Sequence, residues 1–495
     1  MPVDKRAFQT EARDRDPRRS RAILAIGVAC LALALAPHAA AQPADWPHPS
    51  EIEAPPLTIE TPEPRRVVLG NGLVAYLAED LTLPLIEGVA YVDAPGLYDP
   101  EGMEGLAGFT ANLLREGGAG GRTPGEIDAT LEFLAAAVEA SSGNVFATVA
   151  FSSLSDTIDE VLPIWRDVIV SPDFAPERIE IQRQRQLEAI RRVVDNPVQL
   201  AVRAWQERVS AGHPAGRFSS EASVTAITRD DLIDFHAAYF GPATTILALS
   251  GDFDTEEMVE QLEEAFGSWT AEVREPPELP PYDASPQARV FIASKELQQS
   301  IMIVGQPAMR AYQDPYTDFT VANEILGAGG FSSRLFTEIR TRRGLAYATG
   351  SQLSQGFEIP GLFLAYAITR SDATVPVLEL LFGEFDRLRE EGVTQEELDR
   401  AVTTLVNQAV FRDTSVAAVT QRTARVERLG MPEGYFARHL ERMQNLTPDD
   451  VQRAAQEVIR PENLIVLILG DENAFGAQLE GMFGGQIEVE RIEIE

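Results

Sequence analysis

The chain has 495 residues, with 42 Lys and Arg against 76 Asp and Glu, and its formal net charge is −34 at pH 7. This acidic balance argues against nucleic acid and anionic membrane surfaces as partners. The length is sufficient for two domains that each bury an apolar core. After the N-terminal region, no segment is long and apolar enough to predict a transmembrane helix.

Residues 1–41 have the pattern of an export signal. Basic residues precede the apolar run 22–36, and the three alanines at 39–41 offer a small-residue cleavage site. The run is shorter than the roughly 20 residues that a membrane span requires. The only cysteine, Cys30, lies inside the run, so the mature chain has no thiol chemistry. We therefore expect a periplasmic protein.

The next segment, 42–64, is rich in proline and acidic residues and predicts an extended lead-in. An N-terminal domain is then expected over 65–274. It opens with a hairpin, because the turn Gly70-Asn71-Gly72 separates two apolar runs. The predicted elements are strands at 66–69, 73–77, 86–92, 144–151 and 245–250, and helices around 108–114, 123–137 and 155–169.

A proline-rich stretch at 275–287 predicts a stiff linker, and a C-terminal domain follows over 288–495. This domain repeats the plan of the first, and in both a late strand is followed by Gly-Asp. The sequence thus predicts an α+β fold of two homologous domains, each a mostly antiparallel sheet with helices packed on it. The predicted elements are strands at 289–292, 300–306, 362–367 and 464–469, and helices at 316–326, 333–340 and 375–390.

The segment 105–114 reads G-L-A-G-F-T-A-N-L-L. It resembles the zinc-binding helix of the pitrilysin/insulinase family of metallopeptidases, the inverted zincins that include the processing peptidases, which reads G-L-A-H-F-L-E-H-M-L. In that family the two His bind zinc and the Glu is the general base. The resemblance puts Gly108, Ala111 and Asn112 at those positions. Neither glycine nor alanine has a side chain that can bind a metal.

The family's remote ligand is a Glu in a pattern like V-L-E-E-I-R-M-Y-E-D-D-P, to which the segment 186–197 is similar. The ligand position falls on Ala189. Glu188 is adjacent, but one helical residue is a rotation of about 100° and turns its carboxylate off the metal-facing side. All four positions fail together, so the resemblance implies a chain that binds no metal.

The segment 329–347 is similar to the family pattern G-G-x-x-S-S-R-L-F-x-E-I-R-E-x-R-G-L-A-Y. In that family an Arg and a Tyr at these positions reach into the active-site chamber and help to hold substrate over the zinc. The pair is intact here as Arg340 and Tyr347. The structural alternative is that Arg340 caps a helix or pairs with Glu338 or another nearby acid, and that Tyr347 packs at the start of a strand.

Other candidate chemistry is sparse. His48, His213, His236 and His439 have no second ligand at metal-binding spacing, and His236 fits a structural position in an amphipathic helix. The glycine-rich stretch 327–333 lacks the lysine of a phosphate-binding loop.

The resemblance implies the non-zinc-binding subunit of a heterodimeric periplasmic metallopeptidase, inactive alone. A homologous partner subunit would supply the zinc, the general base and the attacking water, while Arg340 and Tyr347 contribute to peptide binding and transition-state stabilisation. The expected substrate is an unfolded peptide held as an added strand at a sheet edge. The alternative is a non-catalytic binding or scaffold protein of the same fold.

Overall fold

Two strands joined by a glycine-containing turn open the described part of the chain. The computed structural model describes residues 63–143, 145–412, 414–483 and 487–494. Strands β1 (Arg65–Val68) and β2 (Val74–Glu79) pair antiparallel, and Gly72 in the turn has φ +89°, a conformation that favours glycine. The predicted hairpin is confirmed. The predicted export signal and the lead-in up to residue 62 lie outside the described residues.

Four further strands complete the first sheet: β3 (Leu85–Val92), β4 (Ala137–Ser142), β5 (Ala147–Leu154) and β6 (Thr245–Gly251). The strand order is β1-β2-β6-β3-β5-β4. β2 and β6 are parallel, and all other neighbours are antiparallel. The sheet is therefore mixed and mostly antiparallel.

Helices of the first half pack on this sheet around an apolar core that contains Phe109, Trp165 and Phe266. Several begin with a side chain that accepts from the first-turn amides; Thr123 and Glu126, for example, form a reciprocal capping box. The helices are α1 (Leu106–Glu116), α2 (Pro124–Phe133), α3 (Ile158–Val170), α4 (Pro176–Val193), α5 (Pro197–Val209), α6 (Glu221–Ala226), α7 (Arg229–Tyr239) and α8 (Thr255–Phe266).

The second half repeats this arrangement. Its strands are β7 (Arg289–Ser294), β8 (Gln299–Pro307), β9 (Ala346–Leu353), β10 (Leu362–Arg370), β11 (Ile465–Gly470) and β12 (Glu488–Ile492). Their order is β12-β7-β11-β8-β10-β9, with β12 and β11 parallel to β7 and the other pairs antiparallel. The predicted fold of two similar α+β domains is confirmed.

Seven α-helices and two π-helices lie among the described residues of the second half. The π-helices are π1 (Glu324–Ala328) and π2 (Phe336–Arg342). The α-helices are α9 (Tyr316–Asn323), α10 (Thr374–Glu390), α11 (Gln395–Val410), α12 (Val416–Arg428), α13 (Tyr435–Gln444), α14 (Pro448–Val458) and α15 (Glu472–Phe483).

One helix from each half packs on the sheet of the other half. Helix α5 of the first half packs on the second sheet, where the Trp205 indole donates a 2.9 Å hydrogen bond to the carbonyl of Ile465. Helix α12 of the second half packs on the first sheet, where Ala424 joins a cluster with Tyr76 and Tyr91. This reciprocal packing fixes both halves in one compact unit.

Three local predictions differ from the structure. The helix predicted over 123–137 ends at Phe133, because Ala135 adopts φ +51° and the chain then enters β4. The helix predicted over 333–340 is mainly the π-helix π2, displaced toward the C-terminus. The helix predicted over 316–326 becomes π1 after Asn323.

Candidate functional site

A cleft of about 1380 Å³ lies between the two halves of the chain. One wall is the start of α1 with Gly108, and α5 forms the adjoining wall. The opposite wall is formed by π1 and π2 and includes Arg340. Strands β9 and β10 also contribute to the lining, as does the loop around Phe218. The degenerate metal helix and the arginine singled out in the sequence therefore line the same cleft.

Helix α1 is held at its N-terminus by a buried carboxylate. Asp99 accepts hydrogen bonds from the amides of Gly105 at 2.7 Å and Ala107 at 2.8 Å. Burial raises the pKa of Asp99 to about 6, even though these amides stabilise the charged form. Because the helix start is fixed in this way, the orientation of the family's metal-binding positions on α1 is defined.

None of those positions holds a His, Cys, Asp or Glu, the side chains that bind zinc. At Gly108 no atom lies within 4 Å of the place that a Cβ would occupy, so the position opens onto the cleft. Ala111 is fully buried in the core, Asn112 is half-buried, and Ala189 is exposed on α4. Among the described residues, no group of three His, Cys, Asp or Glu side chains could hold a metal ion. The residues present do not fit a zinc site.

The neighbouring candidates have other partners. Glu188 forms an exposed ion pair with Arg192. His236 contacts the carbonyl of Ile169 at 2.8 Å, and burial lowers its pKa to about 4. His439 contacts the Thr317 hydroxyl at 2.7 Å and is likewise kept neutral by burial, with a pKa of about 4. These two histidines stabilise helix packing.

Arg340 is held by aromatic rings. Its guanidinium carbon lies 4.8 Å from the centre of the Phe336 ring and 5.8 Å from that of Tyr347. Within the part of the chain that the structure describes, the side chain of Arg340 has no hydrogen bond or ion pair. Glu338, its predicted alternative partner, instead binds Arg342 at 2.9 Å and Arg343 at 2.6 Å. The donors of Arg340 are thus available to a ligand in the cleft.

Tyr347 lies near the start of β9, the last strand of the second sheet. It is 73% exposed, and its ring contacts the Arg340 guanidinium. The structural alternative places Tyr347 at the start of a strand, and the residue does lie there, but its side chain remains mostly exposed. The structure therefore brings the two residues of the family pair together on an open surface.

The π2 segment is anchored by Arg334, a residue for which no role was predicted. Arg334 is 7% exposed and donates to both carboxylate oxygens of Glu397, at 2.7 and 2.8 Å, and to the carbonyl of Gly392. Burial alone would raise the pKa of Glu397, but hydrogen bonds from Arg334 and Thr394 outweigh it and hold the pKa at about 2. This ion pair fixes the chain that carries Arg340.

Family models match both halves. Residues 89–217 match the model described as Insulinase (Peptidase family M16), and residues 226–405 match the one described as Peptidase M16 inactive domain. Together they cover more than half of the chain. The chain belongs to the insulinase family, peptidase family M16, and the resemblance to pitrilysin/insulinase peptidases is confirmed. The inactive-domain match supports a non-catalytic, peptidase-like subunit.

Curated relatives cover most of the chain. An uncharacterized zinc protease of Streptomyces coelicolor is 28% identical over 361 residues, which are 69% of this chain and 77% of the relative. An uncharacterized zinc protease of Rickettsia bellii is 26% identical over 429 residues, 82% of this chain and 98% of the relative. Whatever ligands those proteins carry, the four positions here hold Gly, Ala, Asn and Ala.

Solved structures share the fold. A peptidase M16 inactive domain from Pseudomonas fluorescens has a TM-score of 0.75 at 23% identity, covering 82% of this chain and 98% of its own. The periplasmic protease PqqL from Escherichia coli has a TM-score of 0.71 at 14% identity, covering 85% of this chain and 47% of PqqL. In the described part of this chain, no helix has the length and hydropathy needed to cross a membrane.

Proposed function

We propose that this chain is the non-zinc-binding subunit of a heterodimeric periplasmic metallopeptidase, and that Arg340 and Tyr347 act on a peptide in the partner's active site. The proposal rests on one observation, which is that the guanidinium of Arg340 lies unpaired in the cleft. Its guanidinium lines a large cleft, rests against the rings of Phe336 and Tyr347, and has no acceptor among the described residues.

The two side chains suit the proposed roles. A guanidinium presents a planar set of N–H donors that matches a peptide carbonyl or carboxylate. A phenol can donate one hydrogen bond to an oxygen that becomes negative in a tetrahedral intermediate. The zinc, the general base and the attacking water belong to the partner, because Gly108, Ala111, Asn112 and Ala189 provide no ligand set.

The size of the cleft favours a peptide over a small molecule. Its volume of about 1380 Å³ exceeds the roughly 300–1000 Å³ of typical small-molecule pockets. Strands β4 and β9 each end a sheet, so an extended peptide could pair with an end strand. We infer that the substrate is an unfolded peptide.

The predicted export signal and the acidic charge support a periplasmic site of action without nucleic acid as a partner. The fold shared with a periplasmic protease of Escherichia coli is consistent with this placement.

Elemental analysis and peptide hydrolysis by the purified mature chain test the proposal. We expect far less than one zinc per chain and no cleavage of an unfolded peptide until a zinc-bearing family member from the same organism is added. One tightly bound zinc per chain, with chelator-sensitive cleavage by the chain alone, would contradict the proposal.

A further inference from the structure

The cleft is open at the first of the family's zinc-binding positions. Gly108 lines the cleft, and a Cβ there would have no atom of another segment within 4 Å. The two hydrogen bonds to Asp99 fix this end of α1, so the opening keeps its position. Glycine lets a ligand approach the backbone closely. The place that a histidine side chain fills in the family pattern is therefore free for a ligand.

Two polar side chains meet beside this opening. They are Gln186 on α4 and Ser219 in the loop around Phe218. The point that a Cβ on Gly105 would occupy lies 2.5 Å from the Ser219 hydroxyl oxygen and 3.4 Å from the Gln186 amide nitrogen. Gly105 directly precedes α1, in which Gly108 lies at the first turn. The two side chains thus converge from separate segments on the start of α1, next to the open position.

Both side chains are accessible and have free hydrogen-bonding groups. Gln186 and Ser219 line the cleft and are half-buried, and neither side chain forms a hydrogen bond with another described residue. An amide and a hydroxyl can each donate and accept hydrogen bonds, as the N–H and C=O of a peptide group require. Glu104 and Arg217, which also line the cleft, lie 3.7 Å apart as an ion pair and offset each other's charge. The local chemistry therefore favours a neutral peptide group over an ion.

We propose that Gln186 and Ser219 bind a main-chain peptide group of the substrate above Gly108, so that the family's zinc position has become a peptide-binding site without metal. The inference rests on the proposed function and deepens it, because this chain then holds a part of the peptide that lies outside the partner's active site. The bound group is neutral and common to all polypeptides. Binding at this site therefore does not depend on the order of the side chains in the peptide.

Fluorescence anisotropy with the purified mature chain tests the inference. The probes are two acetylated, dye-labelled 12-residue peptides of serine, alanine and leucine, with the same composition in different orders. We expect wild type to bind both with similar affinity. Gln186→Ala and Ser219→Ala should each weaken both peptides about three- to ten-fold, the effect of one lost hydrogen bond. Gly108→Leu keeps a good helix former in α1 but fills the opening, so it should weaken both peptides further.

Two control variants should bind as wild type does. Gly383→Leu matches Gly108→Leu, because Gly383 is also a helical glycine with open space at its Cβ but lies away from the cleft. Gln184→Ala removes an exposed amide of α4 away from the cleft. Wild-type affinity in Gly108→Leu and Gln186→Ala, a strong preference for one peptide order, or no binding by wild type would overturn the inference. Stimulation of the zinc-bearing partner by this chain would in that case leave the proposed function standing.

Discussion

The ring of Phe336 lies against the guanidinium of Arg340, with 4.8 Å between the ring centre and the guanidinium carbon. Phe331 in turn meets the Phe336 ring edge-on, with the ring centres 4.7 Å apart. A guanidinium on a ring face keeps its N–H groups available in its own plane. Phe336 thus holds the Arg340 guanidinium in place while occupying none of its donors.

Replacing Phe336 by leucine should lower the activity of the assembled peptidase about 2- to 5-fold. The basis is the roughly 0.5–1 kcal/mol of an exposed cation–π contact. Phe336→Tyr keeps the ring and should retain activity. Steady-state kinetics and a thermal melt of each variant check this. Equal activity of the leucine and tyrosine variants would show that the ring does not position Arg340.

Tyr347→Phe removes one hydroxyl and keeps the ring beside Arg340. If the phenol donates to a developing oxyanion, kcat should fall on the order of 10²-fold with little change in KM. Because the side chain is 73% exposed, the thermal midpoint should not change. A rise in KM at unchanged kcat would instead indicate a ground-state contact.

Arg334→Ala should destabilise the protein by about 3–5 kcal/mol, since it leaves the carboxylate of Glu397 without its buried partner. Arg342→Ala is the matched control, because Arg342 is 67% exposed and its ion pair with Glu338 contributes less than about 1 kcal/mol. Urea unfolding measures both free energies. Similar free energies of unfolding for the two variants would show that Arg334 does not anchor π2.

The ion pair between Arg334 and Glu397 predicts that the stability of the protein depends on pH. The folded-state pKa of Glu397 is held at about 2, below its ordinary value of 4.5. Its stabilising contribution is therefore complete above pH 4.5 and is lost as the pH falls toward 2. The free energy of unfolding of wild type should drop more steeply over this window than that of Glu397→Gln. Parallel pH profiles would contradict the assignment.

Restoring the family's zinc-binding and general-base residues should destabilise the fold at one position, residue 111. Gly108→His extends into open space, but Ala111→Glu places a carboxylate in the apolar core. We expect Gly108→His to fold with near wild-type stability and Ala111→Glu to lose several kcal/mol. Calorimetry of the two single variants measures this. A stable Ala111→Glu variant would show that the side chain of residue 111 can reach the cleft.

Local sequence signals were sufficient for much of the fold. The Gly70-Asn71-Gly72 turn predicted its hairpin, and the repeat of strands and helices predicted two similar domains. The sequence could not show that β12 pairs parallel with β7. Along Glu488–Ile492, buried and exposed positions do not alternate regularly, so the strand has only a weak pattern. It also could not show the exchange of α5 and α12, because an amphipathic face does not specify which sheet it covers.

The site was predictable only in part. The motif identified Arg340 and Tyr347, but three basic residues compete for Glu338, and only the fold shows that Arg342 and Arg343 bind it. A 3.6-residue pattern does not reveal a π-helix, so the positions of Asn323 and Phe336 in the cleft were not foreseen.

The most direct test of the account is a mixing experiment with a zinc-bearing family member from the same organism and a fluorogenic unfolded peptide. The account predicts that this chain alone cleaves nothing and that its addition raises the partner's kcat/KM. Arg340→Ala should assemble with the partner yet lower that gain by about 10²-fold or more. Full stimulation by Arg340→Ala, or no stimulation by wild type, would contradict the account.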